Sequence, residues 1–359
     1  MPTNPKNSRF LEKGSLRAVA LAASASAALA AGVTTPAPAS AEPVRGAEIA
    51  AFDETPAAAK DAIEQGLAKL ASMQRPDGSF DAGPYGQNVG ISSLACMAFL
   101  ADGNLPGRGR YGDNVKRGLD FVLANCTESG LIAADVSRGP MYGHGFATLL
   151  LGEVYGMTGD DRIREPLLKA VRLILKSQNH EGGWRYQPIP FDADISVTIC
   201  QIMALRSARN AGVAVPAETI DAATQYVLAC QNASDGGFRY RTNSGPSGFE
   251  RTAAGVASLF YAGVYDGPDV AAGMTYLRTA TASIGNTGYF YYGHYYGSQA
   301  MFLAGGEDWS KYFPAVRDYL VNQQSSDGSW RSGHGNAYAT AMALIILQMP
   351  NRLLPIYQR

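Results

Sequence analysis

Two carboxylates, Asp192 and Asp194, lie one residue apart in this 359-residue chain, and Ser196 follows them. His144 and His294, two of its four histidines, sit in the same tripeptide, Tyr142-Gly143-His144 and Tyr292-Gly293-His294. Glu250 and Arg251 are adjacent, His334 stands four residues before Tyr338, and Tyr289-Phe290-Tyr291-Tyr292 is an aromatic run. Neighbouring carboxylates do not ionise independently, so one can stay protonated near neutral pH. An imidazole beside it can tune that acid, and aromatic faces stabilise developing positive charge. On this reading Asp194 donates a proton, Asp192 is its partner, and His144 or His294 is the tuner. Tyr142, Tyr292, Glu250, Arg251, His334 and Tyr338 would surround the substrate.

Each group also has a plainer assignment, and both stay open on sequence alone. Asp194 is a good helix N-cap, with its side chain accepting from the first-turn N–H groups. His144 and His294 can brace neighbouring helices, Glu250 and Arg251 can form an ion pair, and the tyrosines can simply pack. Three histidines with Asp194 and Glu250 are also metal-type ligands, but no His-x-x-x-His spacing supports a zinc site. No metal or other cofactor is predicted.

The elements that must position these groups repeat. Gln74-Arg-Pro-Asp-Gly-Ser-Phe80, Gln178-Asn-His-Glu-Gly-Gly-Trp184, Gln231-Asn-Ala-Ser-Asp-Gly-Gly-Phe238 and Gln324-Ser-Ser-Asp-Gly-Ser-Trp330 are copies of one cassette. Weaker copies begin at Cys126 and Asn286. Aligned on Gly78, Gly130, Gly182, Gly236, Gly288 and Gly328, the steps are 52, 52, 54, 52 and 40 residues. Such a period marks a repeat architecture. Before each cassette the chain is amphipathic: Ile63, Leu67 and Leu70, or Leu168, Val171 and Leu175, fall on one helical face. After it come stretches apolar nearly all round, such as Gly90–Leu100, Gly145–Tyr155 and Gly297–Ala304, which suits helices buried on every side. Six of each predict an all-α ring of six outer and six inner helices. In it the cassette Gln bonds the terminal carbonyls of the outer helix and the aromatic ring plugs the seam. An open solenoid is the alternative. The inner-helix starts would carry Asn88, His144, Asp192 and Asp194, Glu250 and Arg251, His294 and His334 to one mouth.

The Gln-x-x-Asp-Gly-Ser-Trp cassette resembles the repeat of squalene and oxidosqualene cyclases and of protein prenyltransferase β-subunits, over roughly Pro56 to Arg359. Tyr142-Gly-His-Gly-Phe-Ala-Thr148, Asp194-Ile-Ser-Val-Thr198 and Tyr338-Ala-Thr-Ala-Met-Ala-Leu344 are similar to an exported bacterial branch of that prenyltransferase and squalene oxidase repeat family. The resemblance implies a single-domain α/α toroid. It also implies acid-initiated cyclisation, or binding, of an isoprenoid or other apolar ligand in the central cavity. Asp192 and Asp194 match the first and middle positions of the cyclase Asp-x-Asp-Asp motif, and Ile195 replaces its last Asp. The prenyltransferase zinc ligands are not matched: Asp-x-Cys is absent, and their His would fall near Tyr338. A non-catalytic exported binding or scaffold protein, and a carbohydrate-active toroid, are the alternative readings.

The N-terminus reads as an export signal. Lys6, Arg9, Lys13 and Arg17 precede an Ala-rich apolar stretch from Ala18 to Val33, and Ala39-Ser40-Ala41 offers a small-x-small cleavage site. An uncleaved anchor is the alternative, although the stretch is short for a span of about 20 apolar residues. The expected organisation is a signal at 1–41, a linker at 42–55 and the toroid at 56–359. Removing residues 1–41 takes four basic groups and one acidic group from 30 and 31, leaving 26 against 30. No basic stripe points to nucleic acid. No transmembrane span is expected in the mature chain, and the expected location is periplasmic or secreted. Cys96, Cys126, Cys200 and Cys230 lie in or at the ends of apolar helical stretches, which suits buried thiols better than an obligatory disulfide.

Overall fold

The computed structural model describes residues 54–358 apart from 82, 137–138, 243, 281–283 and 286. The export signal with its cleavage site, most of the linker, and Asn286 of the fifth cassette lie outside them. The described residues belong to one compact unit, Ile49–Arg359. Its outer helices are α1 (Ala57–Ser72), α3 (Gly112–Ala124), α5 (Asp161–Ser177), α7 (Ala217–Ala229), α9 (Pro268–Ala280) and α11 (Gly306–Gln323). The inner helices are α2 (Val89–Ala101), α4 (Met141–Thr158), α6 (Ile195–Asn210), α8 (Phe249–Ala262), α10 (Phe290–Ala304) and α12 (Asn336–Leu347). Each inner helix packs on the next, and α12 returns to α2, so the ring is closed.

Layering follows from side-chain chemistry. Every residue of α2 is buried, and α12 is nearly as dry, because neither carries a polar face. Small residues bring these rods together: a Cβ on Gly152 of α4 would stand 2.4 Å from the Ser207 hydroxyl of α6. Outer helices bury one stripe each. In α5 it is Ile163, Leu167, Ala170, Val171 and Ile174, so the helix is rotated from the predicted face and Leu168 and Leu175 are only partly buried. Helix α10 starts seven residues before the predicted Gly297, because the tyrosine run is itself helical.

The cassette Gln does not bond the terminal carbonyls of its own helix. Gln178 Nε2 donates to the carbonyl of Gly182 in its turn (2.8 Å) and to that of Thr219 in the next outer helix (2.9 Å). Gln74 bridges to Asn114 in the same way, and Gln231 to Asp269. Gln324 reaches Ala62 of α1 (2.8 Å), which treats the first unit as the neighbour of the last. The turn glycine needs a positive φ and close approach: Gly182 lies at φ 97°, and a Cβ there would stand 2.1 Å from the Ala222 carbonyl oxygen. In the fifth unit Gly285 meets the next outer helix, at Tyr319, whereas Gly288 lies near Glu250. The rings of Phe80, Trp184, Phe238 and Trp330 are fully buried in the seams. Both indoles donate back to the outer helix, Trp184 Nε1 to Ile174 and Trp330 Nε1 to Leu320, each at 2.8 Å.

Candidate functional site

In four cassettes the N–H of the aromatic residue is tied to a hydroxyl of the inner helix that follows. The N–H of Phe80 donates to Ser92 Oγ, that of Trp184 to Thr198 Oγ1, that of Phe238 to Thr252 Oγ1 and that of Trp330 to Thr340 Oγ1. In the second unit the N–H of Ile132 donates to His144 Nδ1 (3.2 Å), so His144 stands where those four units place a Ser or Thr. His294 occupies the equivalent turn of α10 and bonds the Tyr312 hydroxyl (2.8 Å) and the Ile284 carbonyl (3.0 Å). Burial pushes both imidazoles down to about 4, so they are neutral near pH 7. His144 and His294 thus both make seam contacts, with His144 Nε2 left buried and without a hydrogen bond.

At the mouth a cavity of about 410 Å³ opens between the starts of α2, α4, α10 and α12. Its floor is apolar, with Ile91, Leu94, Phe146 and Met342. A collar of tyrosines stands above: Tyr85, Tyr142, Tyr186, Tyr289, Tyr292 and Tyr338. His334 is stacked between Tyr85 (centroids 5.8 Å apart) and Tyr289 (6.3 Å), and the Tyr85 hydroxyl meets its Nδ1 at 2.7 Å. Of the predicted residues, Tyr142, Tyr292, His334 and Tyr338 share this wall. The aromatic run divides by helical geometry. Tyr289 and Tyr292 face the cavity, while Phe290 packs on His294 and Tyr319. Glu250 and Arg251 are not in the wall, and no ion pair joins them among the described residues. Glu250 accepts from the Tyr289 N–H (3.1 Å), and Arg251 donates to the Ser247 carbonyl (3.3 Å).

The carboxylate pair sits behind the collar. Asp194 caps α6: its Oδ1 accepts from the N–H groups of Ser196 and Val197, both at 2.9 Å. The residue is fully buried, and its Oδ2 has no hydrogen-bond partner. Arg185 Nε lies 3.7 Å from that oxygen. Burial raises the Asp194 carboxyl to about 6, against the pull of its backbone donors, Tyr240 and Arg185. Asp192 is held between Arg185 (2.5 Å) and Arg241 (3.1 Å), and Arg185 links it to Asp194. The proximity of Asp194 also helps hold the Tyr142 and Tyr292 hydroxyls un-ionised, after burial itself. The Tyr186 hydroxyl, on the cavity wall, is hydrogen-bonded to that of Tyr240, which lies by Asp194. Asp194 thus lies next to the collar without lining the cavity.

Sequence reasoning missed Tyr85, Tyr186, Tyr240, Arg185 and Arg241. A signal for some of them was present, since Gly182-Gly-Trp-Arg-Tyr186 and Gly236-Gly-Phe-Arg-Tyr240, 54 residues apart, differ only in which aromatic residue they carry. The Tyr186 carbonyl accepts from the Met141 N–H and the Tyr240 carbonyl from the Ile195 N–H, so each pentapeptide lays its tyrosine over the start of the preceding inner helix. Among the described residues no three His, Cys, Asp or Glu side chains converge as a metal site would require. The four cysteines are free thiols.

No protein-family model matches the chain, and no curated protein matches it. Solved structures do. The GH76A α-1,6-mannanase of Salegentibacter sp. HEL1_6 superposes with a TM-score of 0.60 at 10% identity, over 82% of this chain and 99% of that one. The type II terpene cyclase MstE from Scytonema gives 0.58 at 13% identity, over 83% and 99%. A protein from Actinoplanes gives 0.59 at 14% identity, over 82% and 99%. At such identities the likeness is one of fold: the chain is an α/α toroid of the kind that terpene cyclases and mannanases share.

Proposed function

We propose that the protein is exported by its N-terminal signal and binds an isoprenoid or other apolar small molecule in the cavity at the toroid mouth. The observation that carries this reading is the cavity itself. Its volume falls within the range of about 300–1,000 Å³ usual for small-molecule sites. Its floor is aliphatic and aromatic, and among its described lining residues there is no Lys or Arg to hold an anionic group. The terpene cyclase neighbour was solved with geranylgeranyl dihydroxybenzoate, an isoprenoid substrate, in the same fold. Native mass spectrometry of protein purified from its own envelope tests the proposal. A retained apolar adduct is expected, and a retained oligosaccharide would replace this reading by the carbohydrate one.

A second reading, acid-initiated cyclisation, is favoured by Asp194. It is a buried carboxyl whose Oδ2 has only Arg185 Nε at 3.7 Å and Tyr240 nearby, and its pKa of about 6 leaves a protonated fraction available. Asp192, held by two arginines, would act through Arg185 rather than by sharing a proton with Asp194. Asp194→Asn keeps the cap acceptor and removes the acid. It should abolish turnover of a polyprenyl substrate while ligand binding and the circular-dichroism spectrum stay unchanged. Unaltered turnover would remove Asp194 from the chemistry.

A further inference from the structure

A second cavity, of about 700 Å³, lies at the end of the toroid away from the mouth. Asp102 on its wall caps the C-terminal end of α2, and Asn88 of the mouth caps the other end, so about 20 Å of helix separates the two spaces. No described lining residue is common to both. The first half of α1, the end of α2, the turn into α3 and the segment after α12 enclose it. Ile63 and Leu67 of α1, both buried, give it an apolar side. Tyr111, at the start of α3, is fixed by its N–H on Asn104 Oδ1 (2.9 Å) and by its ring against Phe99 (5.1 Å between centroids). The residue is only 7% exposed, yet its hydroxyl has no hydrogen-bond partner. Burial holds that hydroxyl above its usual range, and the Asp102 and Glu64 carboxylates of the same wall add to this against Arg110. A buried hydroxyl without a partner is costly and calls for one. The charges around it are only partly matched. Arg110 is taken up by Glu64 (3.0 Å) and lies over the Tyr111 ring (5.4 Å). Asp102 accepts from the neutral Asn104 amide (2.9 Å), and among the described residues neither it nor Lys60 forms an ion pair.

We propose that this crevice is a binding site for a zwitterionic small molecule of the short-peptide class. The ligand ammonium falls to Asp102 and the Tyr111 hydroxyl, its carboxylate to Lys60, and an apolar side chain to Ile63 and Leu67. The polar groups in this assignment are those that the fold leaves without an ion pair or, for Tyr111, without a hydrogen bond. Both signs of charge on the wall favour a zwitterion. A simple anion would face Glu54, Glu64 and Asp102, and a polyamine would face Lys60 and Arg110. The volume lies within the range of about 300–1,000 Å³ usual for small-molecule sites and leaves room for more than a single amino acid. The site stands apart from the mouth cavity and does not rest on the ligand proposed there.

Isothermal titration calorimetry of the full chain with leucyl-leucine tests this. Saturable binding of one dipeptide per chain is expected. N-acetyl-leucyl-leucine, which lacks the ammonium, and leucyl-leucine amide, which lacks the carboxylate, should each bind about tenfold more weakly. Tyr111→Phe should weaken the dipeptide by about tenfold without lowering the denaturation temperature, since it removes only an unpartnered hydroxyl. Lys60→Met should weaken leucyl-leucine and leave the affinity for its amide as it was. A hydroxyl with no part in binding would leave the affinity of Tyr111→Phe at the parent value, which overturns the proposal. So would the absence of saturable heat, or equal affinity for the dipeptide and its capped forms. Met342→Trp, which fills the mouth floor, should bind the dipeptide as the parent does. Loss of dipeptide binding in that variant would move the ligand to the mouth and overturn the second site.

Discussion

Behind the tyrosine collar stand Asp194 at the start of α6 and two histidines in the seams. Asp194 is both a cap and a buried acid: Oδ1 serves the helix, and Oδ2 is left without a hydrogen bond. A carboxyl raised from 3.8 to about 6 contributes stability that is fully present below pH 3.8 and lost as pH rises through 6. Glu153, buried against Ser207 and the Ile356 N–H and raised to about 7, acts in the same direction. His144 and His294, lowered from 6.5 to about 4, act oppositely: their contribution is present above 6.5 and lost as pH falls through 4. Asp194→Asn should therefore match the parent at pH 4 and exceed it by about 1–3 kcal/mol at pH 7.5 in urea titrations. A variant less stable than the parent at pH 7.5 would mean that the ionised carboxylate sustains the fold. Spacing made Asp194 legible, as cap and as acid together. It read His144 and His294 as tuners of that acid; in the fold His144 accepts the seam N–H that Ser or Thr accepts elsewhere, and His294 bonds the Tyr312 hydroxyl and the Ile284 carbonyl.

At the scale of elements, the cassette does the joining. One Gln, one turn glycine and one aromatic ring link an outer helix, the next outer helix and the following inner helix. Gly182→Ala places a Cβ within 2.1 Å of the Ala222 carbonyl oxygen at a left-handed φ, so it should destabilise by about 3 kcal/mol or more. Thermal denaturation checks this, and a loss below about 1 kcal/mol would show that the turn is not a rigid joint. Helix number, order and layer were readable from period and polarity, because burial on one face or on all faces leaves different residue patterns. The rotation of α5 was not, since Leu167 and Leu168 are equally apolar and only tertiary packing chooses between them. The tyrosine collar was half readable: Tyr142, Tyr292 and Tyr338 lie at inner-helix starts. Tyr85 and Tyr186 come from loops whose path depends on cassette bonds that span some 40 residues.

Closure is what turns twelve helices into a vessel with one mouth. Gln324 bonds Ala62, Lys69 pairs with Asp327 at 3.0 Å, and Gln348 donates to Ala98 at 3.0 Å, so the last unit is joined to the first as the interior units are to one another. Gln324→Ala should accordingly destabilise as much as Gln178→Ala, each by about 1–3 kcal/mol in urea titration; an open solenoid would lose little at its end. Four inner-helix starts then bound the cavity together, and on the proposed reading its apolar floor selects the ligand. Titration of farnesol, a neutral isoprenoid probe, into the parent protein and Met342→Trp tests this most directly, because the larger side chain fills the floor. The account predicts saturable one-to-one binding to the parent and none to a folded Met342→Trp. Equal affinity for both proteins, or no saturable binding to the parent, would contradict it.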